Sequence, residues 1–269
     1  MELQPLSVSE PLGTVPFAAV RISGADATRY LQGQVTQDLS RIPEGSGSLS
    51  ILPTVEGKLL TTLYLIHAGP GSWRALLPTP HLEQALDRLK RFKLRVSVEF
   101  SVEWEVSAPD PASDPSPWWP LGPGMAPAAE AVNLERFTYA RLERGAFYLP
   151  SDAGPGLLSH AVPGLVPAAV SFTKGCYVGQ ELINRTDSRG APPPEVLRIA
   201  DLKPIADAPS VALGPEPLLC RGEEAGTVTA LAAGPGFSVA ALRIKRRFAS
   251  EPYFEFATGA GLAAASVRR

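Results

Sequence analysis

The sequence predicts an α+β body up to about residue 195, followed by a small β domain over residues 196–269. Two features of the chain divide it. Pro-rich breaks fall at 109–127 and at Ala191-Pro192-Pro193-Pro194, where no regular element is expected. Before the second break, strand-like runs alternate with apolar residues at helical spacing. After it, short strand-like runs repeat between Gly/Pro turns, the pattern of a small barrel or sandwich. The expected divisions are thus residues 1–108, a connection over 109–127, a central segment over 128–195, and the β domain.

Each element has its own signal. Phe17–Ile22 has strand composition and stops at Ser23-Gly24. Ala25–Leu39 reads as a helix, because Leu31, Val35 and Leu39 stack at four-residue spacing. Leu49–Leu52 and Lys58–Ile66 read as strands around a Glu56-Gly57 turn. A helix follows, with Thr79 as cap, Pro80 in its first turn, and Leu82, Ala85, Leu86, Leu89 and Phe92 as its apolar stripe. Glu83, Asp87, Arg88, Lys90 and Arg91 form its expected solvated face. Val96–Val106 alternates as a strand does. In the connection, Trp118 and Trp119 are read as anchors to the body. Asn133–Arg144 reads as a helix between a capping Asn133 and a stopping Gly145. Leu157–Phe172 is apolar, broken by Pro163 and Pro167, and leads into a glycine-flanked cysteine. Val196–Leu202, Leu218–Cys220, Gly226–Ala230, Phe237–Ile244 and Tyr253–Phe256 complete the strand candidates.

Composition narrows the function. A net charge of -2, with 19% charged residues, gives no global field for nucleic acid or an anionic membrane. No apolar run approaches the roughly 18 residues of a membrane span, and the first residues lack a basic and apolar leader. A cytoplasmic protein is expected. The two cysteines, Cys176 and Cys220, have no CxxC partner, and an iron–sulfur cluster usually takes about four thiolates. Any cluster this chain touches must be shared with a partner, and no resident metal is expected. Arg243, Lys245, Arg246 and Arg247 are read as a solvated strand end, so direct nucleic-acid binding is not expected. His67, His81 and His160 show no ligand spacing, and Cys220, in a strand-like run, is expected in the core.

The segment Lys174-Gly175-Cys176-Tyr177-Val178-Gly179-Gln180-Glu181 carries the most chemistry. Glycines at 175 and 179 let the backbone bend and present the thiol. Lys174, Arg185 and Arg189 are cations of the kind that raise the thiolate fraction. Gln180 and Glu181 add an amide and a carboxylate able to hold a polar ligand or lock the loop.

Lys174–Glu181 followed by Arg185 resembles the hallmark of the YgfZ branch of the family that includes the glycine-cleavage T protein. Ser23–Ala27 with Tyr30–Asp38, Phe92-Lys93-Leu94-Arg95, Arg141–Gly145, Gly226–Thr229 and Ala240–Leu242 resemble further family segments in the same order. The resemblance covers roughly residues 12 to 250. It implies two interlocked α+β domains around a central channel with a small C-terminal β-barrel. It also implies tetrahydrofolate as ligand, near Gln32, Gln34, Thr36 and Asp38. Cys176 would then be a reactive thiol activated by Lys174, with Gln180, Glu181 and Arg185 fixing the loop or the ligand. The implied role is support of the assembly or repair of iron–sulfur enzymes, including tRNA-modifying ones, with those enzymes or cluster-assembly proteins as partners.

Two departures shape the alternatives. Thr61 and Thr62 stand where the T-protein pattern has adjacent aspartates, and a hydroxyl carries no charge at neutral pH. That argues against an aminomethyl or one-carbon transferase. No acidic residue lies between Asp152 and Glu181, where relatives place one suited to a pterin's donor edge. Glu181, Glu135 and Asp152 are the substitutes, in that order. A folate-free scaffold for cluster delivery through Cys176 is the remaining alternative.

Overall fold

The computed structural model describes residues 17–107, 126–127, 134–149, 152–153, 156–190, 192–202, 211–212, 216–234, 237–258 and 261–268. Trp118, Trp119 and most of the Pro-rich connection lie outside these residues, as does the Asn133 cap.

The first sheet contains β1 (Phe17–Ser23), β2 (Gly47–Pro53), β3 (Leu59–Gly69), β4 (Ser72–Pro78), β5 (Glu99–Ser107) and β6 (Ala126–Pro127). Its order is β2-β3-β4-β1-β5-β6, and every pairing is antiparallel. Both faces are buried. Phe17, Ala19, Leu49, Ile51 and Leu59 pack under the 137–183 segment. Val20, Ile22, Leu52, Leu63, Leu65 and Trp73 pack under α1 (Ala27–Gln32) and α2 (Leu82–Arg91). The sheet is therefore the middle layer of three, which positions the Cys176 segment on one of its faces.

The second half supplies α3 (Leu134–Glu143), α4 (Leu165–Ala169), α5 (Gln180–Arg189) and the strands β7 (Glu195–Leu202), β8 (Val211–Ala212), β9 (Glu216–Cys220), β10 (Glu223–Gly234), β11 (Phe237–Lys245), β12 (Tyr253–Thr258) and β13 (Gly261–Val267). Strand order runs β11-β7-β13-β12-β9-β10, and β10 also pairs β11. The ring closes into a six-stranded barrel with β8 appended to β10, which removes the edges of an open sheet. Leu218, Cys220, Leu242, Phe254 and Phe256 fill it. Each fully buried aromatic there contributes about 2 kcal/mol or more of hydrophobic stabilisation.

The structure corrects several expectations. The first helix ends at Gln32, not Leu39, because the carbonyls of Gln32, Val35 and Gln37 turn to Lys174 and those of Gly33 and Thr36 to Val178 and Ser171. Val35 and Leu39 are buried all the same. Arg88 is not on the solvated face of α2: it is 7% exposed and donates to Gln34 Oε1 at 2.9 Å. Thr79 starts a short 3-10 turn, and neither that turn nor α2 has a side-chain cap. Val102 is 48% exposed, because the β1–β5 pairing slips between Ala19 and Val20 and changes the facing phase. The Pro-rich connection ends in the short strand β6. Strands β4, β8 and β13, and helix α5, are elements beyond those expected.

Candidate functional site

The site begins with a lysine buried in carbonyls. Lys174 is 8% exposed, and its Nζ donates to the backbone oxygens of Gln32 (2.7 Å), Val35 (2.7 Å) and Gln37 (2.8 Å). An ammonium has three N–H bonds and no more. All three hold the loop after α1, so none is left to hydrogen-bond the Cys176 thiol. Burial pulls Lys174 down to about 8, against the upward pull of Asp38. Its Nζ also lies 5.2 Å from the centre of the Tyr177 ring.

Backbone bonds stitch the same two segments together. Val178 N–H donates to Gly33 O at 3.0 Å, and Ser171 N–H donates to Thr36 O at 3.0 Å. The Thr36 hydroxyl donates to Ala169 O at 2.6 Å and accepts from Ile51 N–H at 2.9 Å. Thr36 thus ties the sheet to the chain leading into Cys176. Gln32 spans its own loop, donating to Asp38 Oδ1 at 2.9 Å and accepting from Leu39 N–H at 2.8 Å. The Ser40 hydroxyl and Gln32, together with Arg41, hold the Asp38 carboxyl below the usual carboxylate range. Gln34, Thr36 and Asp38 are all buried. All four side chains brace the loop: Gln32 and Asp38 through bonds within it, Thr36 through Ala169 and Ile51, and Gln34 through Arg88 of α2.

Cys176 stands at the surface of this braced segment, whereas Cys220 is buried in the barrel and its thiol is pushed up by that burial. Gly175 has ordinary backbone and open space around it, so no steric need for glycine exists there. Gly179 is different. It adopts φ +84°, and a Cβ on it would lie 2.6 Å from Thr54 O and 2.9 Å from Gly57 Cα. Gly57, at φ +86°, faces it in return: its own Cβ would lie 2.3 Å from Gly179 O. Two backbones meet where only hydrogen fits. This contact seats the turn between β2 and β3 against the start of α5.

Between that turn and α5 lies a cleft of about 410 Å³, lined by Val55, Glu56, Tyr177, Gly179, Gln180, Glu181, Leu182 and Arg185. Its size falls within the range of small-molecule sites. Gln180, Glu181 and Arg185 are brought together here, on a helix rather than a loop, with Glu181 and Arg185 3.8 Å apart as an exposed i,i+4 pair. Gln32, Gln34, Thr36 and Asp38 are not among the cleft's lining residues. Val55 and Glu56 were missed in the sequence, because nothing local in a Glu-Gly turn shows what it packs against. The facing glycines were the available signal. Asp152, a substitute acid on sequence grounds, is 1% exposed and paired with Arg141, which donates to it through both terminal nitrogens. It is closed to a ligand.

The fold defines a class: a three-layer body ending in a closed barrel, the architecture of the glycine-cleavage T protein. The aminomethyltransferase T of Bartonella henselae matches with a TM-score of 0.74 at 16% identity, over 94% of this chain and 83% of that one. Relatives in sequence include YgfZ- and IBA57-type proteins. The chain is 25% identical over 218 residues to the tRNA-modifying protein YgfZ of Yersinia enterocolitica, covering 65% of this chain and 66% of the relative. It is 24% identical over 225 residues to an iron–sulfur cluster assembly factor IBA57 homologue, mitochondrial, of Chaetomium globosum, covering 64% and 51%. The chain thus spans between about half and two thirds of the length of these two relatives. No family model matches it. Among the described residues, no helix is long and apolar enough to cross a membrane.

Proposed function

We propose that this protein binds tetrahydrofolate beside Cys176 and supports the assembly or repair of iron–sulfur enzymes, tRNA-modifying ones among them, through that thiol. The observation that carries the reading is an exposed cysteine on a segment held rigid by the Lys174 carbonyl nest, one residue from a polar cleft. One relative is named a tRNA-modifying protein and another an iron–sulfur cluster assembly factor, which supports the same role. Among the described residues, no group of three or more His, Cys, Asp or Glu could hold a metal ion. With two cysteines in the chain, Cys220 buried in the barrel, a cluster enters this reading as cargo or client, with Cys176 as one of its ligands.

The cleft suits a folate in volume and in chemistry, with the Glu56 and Glu181 carboxylates for a donor edge and Arg185 for an anionic tail. The transferase alternative is weaker, because Thr61 and Thr62 are buried in β3 and bring no charge to a reaction centre. Direct RNA contact also lacks support. Arg243 pairs with Glu195, Lys245 with Glu224 and Arg247 with Glu223, and Arg246 donates to Pro192 O.

Two measurements test the proposal. Calorimetric titration with tetrahydrofolate under anaerobic conditions should show saturable binding at micromolar strength. In a deletion strain, the Cys176→Ala variant should fold normally yet fail to restore iron–sulfur enzyme activity. Full restoration by that variant would remove Cys176 from the function.

A further inference from the structure

The cleft beside Cys176 has two unlike walls. The β2–β3 turn contributes Val55 and Glu56, and the other wall is Tyr177 with the first turns of α5. The Gly57–Gly179 contact joins the walls at their base and fixes the spacing between them. Glu56 is exposed at the cleft, and its own N–H and the Thr54 hydroxyl pull its carboxyl below the usual range. Opposite, Tyr177 is only 6% exposed, and its hydroxyl has no hydrogen-bond partner. A buried hydroxyl left unpaired is costly unless a ligand or water completes it. The Gln180 side chain likewise has no hydrogen-bond partner among the described residues, and Arg185 is tied only loosely to Glu181. One wall thus offers a preset acceptor. The other offers an amide and a guanidinium above the buried, unpaired Tyr177 hydroxyl, with apolar surface from Leu182.

The geometry points to Glu56 as the residue that orients a flat nitrogen heterocycle of the 2-amino-4-oxo type in this cleft, by accepting two parallel N–H bonds from its donor edge. Such a ring places an amino group and a ring N–H side by side, the pair a carboxylate accepts bidentately, and a carbonyl on the adjacent edge. The carbonyl edge then faces the Tyr177, Gln180 and Arg185 side. This inference rests on the folate reading above and deepens it: Glu56, from a distant turn, supplies the acid that the segment between Asp152 and Glu181 lacks. Pterins and guanine nucleosides share that edge, and the test separates them.

The test titrates the full chain anaerobically with tetrahydrofolate, 6-hydroxymethylpterin and guanosine, in the wild type, in Glu56→Gln, and in Glu83→Gln on the solvent face of α2 as control. The expected result is binding of the folate and the pterin, weakened about tenfold or more by Glu56→Gln. Glu83→Gln should bind like the wild type. Folate and pterin binding unmoved by Glu56→Gln would overturn the inference and leave the folate reading intact. Guanosine binding with the Glu56 dependence, without either pterin, would keep Glu56 in its role and overturn the folate reading. Binding of none of the three would overturn both.

Discussion

At the residue scale, Lys174 matters more for what it holds than for what it could activate. Replacing it by Met leaves the carbonyls of Gln32, Val35 and Gln37 without their donors. The expected loss is about 3 kcal/mol or more in denaturant unfolding, since each buried acceptor left bare costs roughly 1–3 kcal/mol. Asp38 gives a pH signature. Its carboxyl sits below its ordinary value near 3.8, first through the Ser40 hydroxyl. The sign follows from linkage: a depressed carboxylate stabilises the fold above its unfolded pKa, and that contribution is lost as pH falls through the folded value. Asp38→Asn should therefore flatten the fall in stability below about pH 4, as read from denaturant midpoints between pH 5 and pH 3. The sequence showed that residues 174–181 and 32–38 carry chemistry. It did not show that most of the second group serve the first, because hydrogen bonds across 137 to 142 positions of chain leave no local pattern.

At the element scale, two glycines eight letters of motif bring together have opposite status. Gly179→Ala forces a left-handed residue and pushes a methyl group into Thr54 O, so a loss of about 2 kcal/mol or more is expected. Gly175→Ala meets nothing within 4 Å and should stay within about 0.5 kcal/mol. Thermal melts of the two variants side by side check the contrast. Elements with strong periodicity were legible: β1, β3, α2, α3, β7 and β11 lie close to their sequence-based bounds. Helix α5 was not, because Lys174–Glu181 reads as one bent segment, whereas Gly179 and Gly190 are the left-handed ends of a helix. Strand β13 was missed for another reason. Its Gly-Leu-Ala-Ala-Ala-Ser-Val composition is poor in strand formers, and only the need to close the barrel makes it a strand.

At the scale of the whole molecule, β13 bridges β12 and β7. Removing residues 259–269 should leave both strands with bare edges and expose Phe254 and Phe256. Faster amide exchange in β7 and β12, with concentration-dependent aggregation, is the expected outcome. The C-terminal β-barrel was legible, because short strand-like runs repeat there between Gly/Pro turns. How the layers meet was not, since Leu197 packs with the body core while its neighbours in β7 fill the barrel. The Lys174 nest also sets an order of events. The chain leaves the ribosome from its N-terminus, so the carbonyls of Gln32, Val35 and Gln37 emerge long before the ammonium that satisfies them. Until residue 174 is made, water must solvate that loop. The first sheet can collapse early, but the thiol's platform is among the last parts of the body to set, since such long-range closure is slow. A newly made chain therefore carries its cysteine into a finished site only once Lys174 and the α5 residues that follow it have been made.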